Sequence, residues 1–254
     1  MTYCCGVERS DCKHTTGKRE SNPMLQAAKT HLAGFLRWHV TDPVIAMQKE
    51  LMYQSLFDVQ CRNRGITNDF YAVGAAASYG LMYLLFRLLD EHDIRSVVEF
   101  GSGQTTRLID RIKKPGTRHV CYENSPDWHA QLAPRLTSCD YRLKPLEEVT
   151  IDTQRVQWYS GVQAQNFDLL LIDGPVGTER FSRFGCVELI RSQVSKDFLI
   201  IMDDGQRRGE QDTVAYIADL LHTAGFVFRM NQLRVRSTQT VIAGGRFVAT
   251  TYYY

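Results

Sequence analysis

Two hydrophobic rhythms divide the chain. From residue 24 to 92, apolar side chains recur at three- and four-residue steps, as in "MLQAAKTHLAGFLRWHV" and "DPVIAMQKELMYQSLFDVQCRN". That is the spacing of amphipathic helices, and Asp42-Pro43 supplies an N-cap and first-turn pair for the second. A third helix is predicted over "FYAVGAAASYGLMYLLFRLLDEH". From Ile94 the rhythm shortens. Apolar strands "SVVEF", "HVCYE", "YRLKPL", "FDLLLID" and "FLIIMDD" alternate with helical "TTRLIDRIKK", "SPDWHAQLAPRL", "FGCVELIRSQV" and "GEQDTVAYIADLLHTAG". Two last strands, "FVFRMNQLRV" and "TQTVIAGGRFVAT", follow each other with no helix between. The pattern predicts an α/β fold: a doubly wound, mostly parallel seven-stranded sheet with an antiparallel edge hairpin and an N-terminal helical extension. It divides the chain into a flexible polar tail (1–22), a helical extension or lid (23–92) and a main domain (93–254).

Composition narrows the function only a little. With 254 residues, 44% hydrophobic and 23% charged, the chain can bury a sizeable core. A formal net charge of +2, from 30 basic and 28 acidic residues, gives no field for a polyanionic partner, so a nucleic-acid partner is not expected. No run reaches the about 18 apolar residues of a membrane span, and the polar start "MTYCCGVERSDCKHTTGKRE" lacks the apolar segment of a secretory signal. The expected address is the cytoplasm. The seven cysteines lack a framework spacing and are read as reduced thiols. Cys4, Cys5, Cys12 and His14 cluster, but not at the usual zinc-ligand spacings.

The candidate chemistry lies at strand ends, because an open parallel sheet binds its ligands beyond the carboxyl ends of its strands. Glu99, Glu123, Asp173 and the pair Asp203-Asp204 all end strands. In "SVVEFGSGQTT", Gly101 and Gly103 flank Ser102 where the chain must bend, and Thr105 or Thr106 can cap the next helix. Such a turn serves either a ligand or a plain corner. Threonine at 106 breaks the G-x-G-x-x-G dinucleotide pattern. Glu123, 24 positions after Glu99, suits the two hydroxyls of a ribose. The loop "PLEEV", with Glu147, is placed to flank a base.

Together "VVEFGSGQTTRL", "YENSPDW", "FDLLLIDGPVG" and "FLIIMDDGQRRGEQ" resemble, in order and spacing over about residues 70–245, the class I S-adenosylmethionine-dependent methyltransferases, which have a Rossmann-like sheet. The departure is Thr105, where the commonest family motif has a third glycine. The resemblance implies S-adenosylmethionine as cofactor. The turn Glu99–Gly103 would hold its methionine part, with Glu99 facing the ammonium group, Glu123 its ribose and the loop at Glu147 its adenine. Asp173 would face the sulfonium and the acceptor. A hydroxyl acceptor gains from a nearby base, for which Asp173 or Asp204 is the candidate.

Asp173 with Asp203-Asp204 is also similar to the ligand set of the catechol-type O-methyltransferases, although Asp stands where those enzymes have Asn. Helix capping or cofactor contact is the preferred reading, a divalent cation the secondary one, and no metal ligand is assigned. Arg180, Arg183, Arg207 and Arg208 follow the same strand ends, either as a clamp for an anionic substrate group or as rim residues paired with Glu179 and Glu210. His119, His129 and His222 are read as surface or interface positions. The expected activity is O-methylation of a small molecule, sugar or glycan. The alternatives are a non-catalytic nucleoside-binding scaffold and a nucleic-acid methyltransferase. The helices before residue 92 are placed to act as a lid or a homo-oligomer contact.

Overall fold

Alternation along β1 (Ser96–Phe100) turns Val98 and Phe100 to one face of a sheet and Val97 to the other, and two cores grow from these two faces. The computed structural model describes Thr30, His31, Gly34 and residues 42–254 apart from 73 and 75. The polar tail, its cysteines and most of the first predicted helix lie outside the described residues.

The remaining strands are β2 (Arg118–Glu123), β3 (Asp140–Leu143), β4 (Leu146–Ile151), β5 (Gln154–Tyr159), β6 (Leu169–Ile172), β7 (Phe198–Met202), β8 (Phe228–Arg234) and β9 (Thr238–Gly244). The α-helices among the described residues are α1 (Asp42–Asn63), α2 (Tyr79–Glu91), α3 (Gln104–Ile112), α4 (Pro126–Leu132), α5 (Cys186–Gln193) and α6 (Arg208–Thr223). Seven strands form one sheet in the order β3-β2-β1-β6-β7-β9-β8. Five neighbouring strands run parallel, and the β8–β9 hairpin closes one edge with β9 antiparallel to β7 and β8 running back in the direction of the five. This is the sheet that the alternation predicts.

Both faces are covered. Val97, Leu169, Leu171, Leu199 and Ile201 pack against Phe57 of α1, Leu81 and Leu85 of α2 and Leu108 of α3. On the other face Val98, Phe100, Leu170, Ile200 and Met202 meet Val187 and Ile190 of α5 and Val214 and Ile217 of α6. β6 and β7 are buried along their whole length, which is why they read as unbroken apolar runs. Truncating any one of these leucines to alanine costs about 2–5 kcal/mol. Compact packing runs from Pro43 to Tyr254 as one unit, so the boundary expected at 92–93 falls inside it.

Three local differences have physical causes. The third predicted helix begins at Tyr79 rather than Phe70, because the Ser78 hydroxyl accepts the Leu81 amide at 3.1 Å and caps it there. The final strand stops at Gly244, since Gly245 takes φ +56° and starts a 3-10 segment, Gly245–Tyr252. Between β3 and β6 the crossover is made by the separate β4–β5 hairpin, whose first strand takes up most of the segment "PLEEV" that the sequence reading has as a loop. Its Ile151, Trp158 and Tyr159 fill the space beside Phe100 and Tyr122.

Candidate active site

β1 and β6 are neighbours, but the connection after β1 runs to β2 on one side and the connection after β6 runs to β7 on the other, which opens a crevice at their carboxyl ends. The floor of this crevice is a backbone contact. Gly101, at φ +83°, lies so close to the turn after β6 that an added Cβ would sit 2.6 Å from the Gly174 nitrogen. Two glycines are needed there for steric reasons alone.

Above this floor lies a cleft of two adjoining lobes. One, of about 500 Å³, is lined among others by Gly101, Ser102, Glu123, Tyr159, Asp173 and Asp204. The other, of about 420 Å³, includes Tyr71, Gly103, Gln104, Thr105, Arg107 and Trp128. Ala76, Ser102 and Asp173 belong to both. Each volume is in the range of small-molecule sites. The loop joining α1 to α2 roofs it through Tyr71, Gly74 and Ala76. Arg236, from the β8–β9 turn, holds that loop by donating to the Gly74 carbonyl at 2.7 Å and to the Ala76 carbonyl. Tyr79, at the start of α2, packs against the core on that face of the sheet.

Glu123 ends β2 at the cleft and organises its wall. It accepts from the Ser102 amide at 3.1 Å and the Ser102 hydroxyl at 2.6 Å, and from the amides of Asn124 and Ser125, both at 2.8 Å. The Ser102 hydroxyl also meets the Tyr141 hydroxyl at 2.7 Å, and the Trp128 indole donates to the Ser102 carbonyl at 2.9 Å. The glycine turn is therefore fixed from three sides. Thr106 completes the start of α3 by accepting the Gly103 amide at 2.9 Å.

Two expected site residues lie elsewhere. Glu99 shares the Val97 face of β1, and that face is roofed by α3, so its carboxylate is fully buried beneath the helix. There it accepts from the Thr105 hydroxyl at 2.6 Å and lies 3.0 Å from His119 Nε2. It lines neither lobe. His119, expected at a surface or interface, is 1% exposed for the same reason. Glu147 pairs with Trp158 in the β4–β5 hairpin, so it faces a separate cavity of about 480 Å³ between the hairpin and α5, away from the cleft.

Across the cleft from Glu123, the ends of β6 and β7 bring Asp173, Asp203 and Asp204 within 4.8 Å of one another. Asp203 is held: Gln239 donates to it at 2.7 Å, Ser237 at 3.3 Å and the Asp204 amide at 2.8 Å. Asp204 pairs with Arg183 at 2.9 Å and Arg207 at 2.8 Å. Asp173 has a looser contact, 3.6 Å to Arg183, and its side chain keeps 27% exposure to the cleft. Burial, then the neighbouring Asp203 charge, pushes its carboxyl well above the usual carboxylate range, against the lowering pull of Arg183. Burial raises Asp203 as well.

The arginines divide accordingly. Arg180 pairs with Asp212 away from the cleft, whereas Arg183 is buried among the acids. No spacing rule marks Arg183. The turn that aims it inward carries positive φ at Phe181 (+47°) and Arg183 (+58°), where neither residue is glycine.

No protein-family profile matches the chain, and no curated protein sequence matches it. Among solved structures it is similar to the SAH-bound methyltransferase PaMTH1 of Podospora anserina, at 13% identity over 89% of this chain and 98% of that one, TM-score 0.48. It is similar to an O-methyltransferase from Bacillus cereus in complex with SAH, at 13% identity over 84% and 97%, TM-score 0.45. A third is the O-methyltransferase TomG from Streptomyces achromogenes in complex with SAM, at 14% identity over 76% and 90%, TM-score 0.43. Overlaps this partial carry nothing about ligand or substrate. The sheet order, with its parallel core and antiparallel edge hairpin, stands on its own, and it gives the chain the Rossmann-like fold of the class I S-adenosylmethionine-dependent methyltransferases.

Proposed function

We propose that the protein is an S-adenosylmethionine-dependent methyltransferase acting on a hydroxyl of a small molecule, sugar or glycan. The observation that carries this reading is one cleft with Glu123 and the glycine turn on one wall and Asp173 on the other. Its walls suit a polar ligand. The Tyr159 hydroxyl, lining the first lobe, and Arg107 Nε, in a side chain lining the second, are buried donors without a partner among the described residues. Gly101, Ser102, Gly103 and Glu123 would hold the cofactor, and Asp173 would border it on the acceptor side. Glu123 already accepts four hydrogen bonds, so a ribose would share or displace the bonds from Ser102.

Bound there, S-adenosylmethionine supplies an electrophilic methyl group. The chain's own part is to orient the acceptor and take its proton. Asp173 is the better base of the two candidates: its oxygens are reachable from the cleft and its proton affinity is raised by burial. Asp204 is committed to two guanidinium groups, which makes it a positioning residue. The Arg236-tethered loop over the lobes would exclude water while the acceptor is held.

Incubation with S-adenosylmethionine labelled in its methyl group, across a panel of hydroxylated small molecules and glycans, tests this function. Label transfer to an oxygen supports it. Binding without transfer would favour a scaffold, and transfer to nucleic acid alone would overturn the acceptor class. Among the described residues no helix is long and apolar enough to cross a membrane. α1 exposes Val44, Ile45, Met47, Leu51 and Met52, which supports pairing with a second copy. Light scattering at two protein concentrations tests that association.

A further inference from the structure

Three carboxylates whose oxygens lie within 4.8 Å of one another, at the mouth of a cleft, form a set that one divalent ion could bridge. The side chains around them do not fit such an ion, because a cation of the protein's own already meets two of the three carboxylates, Asp173 and Asp204, and the third, Asp203, is taken by Gln239 and Ser237. Arg183 is 6% exposed. It donates at 2.9 Å to Asp204 and lies 3.6 Å from Asp173 and 3.7 Å from Glu210. Its other N–H groups reach the carbonyls of Asp203 at 3.0 Å, Pro175 at 3.2 Å and Ile172 at 3.4 Å. Carboxylates and strand-end carbonyls, the hard oxygen donors that Mg²⁺ or Mn²⁺ would use, are thus turned toward a guanidinium.

The backbone is bent to keep it there. Arg183 and Asp204, the two ends of the 2.9 Å ion pair, have φ of +58° and +59°. Such a conformation in a non-glycine residue costs on the order of 1 kcal/mol and persists only where the surroundings impose it. A guanidinium does not deprotonate in a protein, so this charge is present at every working pH.

We propose that Arg183 is the resident cation of the acid cluster, taking the place of a divalent ion, so that Asp173, Asp203 and Asp204 bind no Mg²⁺ or Mn²⁺. In the methyltransferase reading, on which only this last clause rests, a single fixed positive charge then orients Asp173 without drawing its oxygens into a metal shell. Arg183 is accordingly a positioning residue.

The test is a Mn²⁺ titration of the full chain, followed by the electron paramagnetic resonance signal of free Mn²⁺. It needs neither donor nor acceptor, so failure of methyl transfer would leave this assignment standing, and Mn²⁺ uptake would leave the methyltransferase reading standing. The native protein is expected to show no saturable site below about 1 mM, the weak end of protein sites for hard divalent cations. Arg183→Met should gain one site per chain, binding at least about tenfold more tightly than the native protein and lost again in Arg183→Met/Asp204→Asn. One site per native chain, abolished by Asp204→Asn, would overturn the proposal. So would a folded Arg183→Met with no gain. Should Arg183→Met fail to fold by circular dichroism, the native titration still decides, and Arg183→Lys, which keeps the charge, should fold and remain blind to Mn²⁺.

Discussion

Arg183 and Asp204 meet at 2.9 Å across the mouth of the cleft, each held in left-handed backbone. Asparagine tolerates that conformation, so Asp204→Asn removes the charge with little change in backbone preference. It leaves a buried guanidinium short of its main partner, and a loss of about 3 kcal/mol is expected. Urea unfolding of the two proteins measures it. Unchanged stability would mean that Arg183 does not depend on this contact.

Asp173→Asn should lower kcat by about 10²–10⁴ if Asp173 takes the acceptor proton, with the affinity for S-adenosylmethionine changed by no more than about threefold. A base works deprotonated, and burial holds this carboxyl above its ordinary range. The rising limb of kcat against pH should therefore lie above the usual carboxylate value of about 4 and vanish in the variant. An identical limb in Asp173→Asn would assign the base elsewhere.

The same shift has a consequence for stability. A carboxyl whose folded pKa is raised binds its proton more tightly in the folded chain. Its contribution is complete below the unfolded value of about 3.9 and is lost as pH rises through the folded one. Asp173→Asn should then raise Tm at pH 8 by about 2–4 °C and give no gain near pH 4. Calorimetric scans at the two pH values compare them; equal effects at both would remove the linkage.

Gly101→Ala places a methyl group 2.6 Å from the Gly174 nitrogen at a residue with φ +83°. Strain and collision together should cost about 2–4 kcal/mol and separate the turns that floor the cleft. Chemical denaturation gives the first effect and cofactor titration the second. A stable variant with native affinity would show that the contact has slack.

Much of this was legible in the residues, for physical reasons. β6 and β7 announce themselves because strands buried on both faces must be apolar throughout, and the acids that end them mark where the core stops and the cleft begins. The orientation of Glu99 was not legible. Strand parity puts it on the Val97 side, and only the docking of α3 shows that side to be covered. The β4–β5 hairpin did leave a signal: Val149 and Ile151 alternate with polar residues, as do Val156 and Trp158, around a two-residue Asp152-Thr153 turn. Glu147 lies in the first of these strands, paired with Trp158, which takes it out of a base-binding loop. Arg183 was the hardest case. Its inward aim follows from positive φ at 181 and 183, imposed by tertiary contacts and not by residue type.

The most direct test of the whole account is a calorimetric titration of the native chain with S-adenosylhomocysteine, alongside Glu123→Gln. The account predicts one site per chain in the native protein and binding about tenfold weaker in the variant, which loses charged hydrogen bonds at the cleft wall. No heat of binding from the native protein at about 1 mM ligand, a concentration that reports even a −4 kcal/mol interaction, would contradict it.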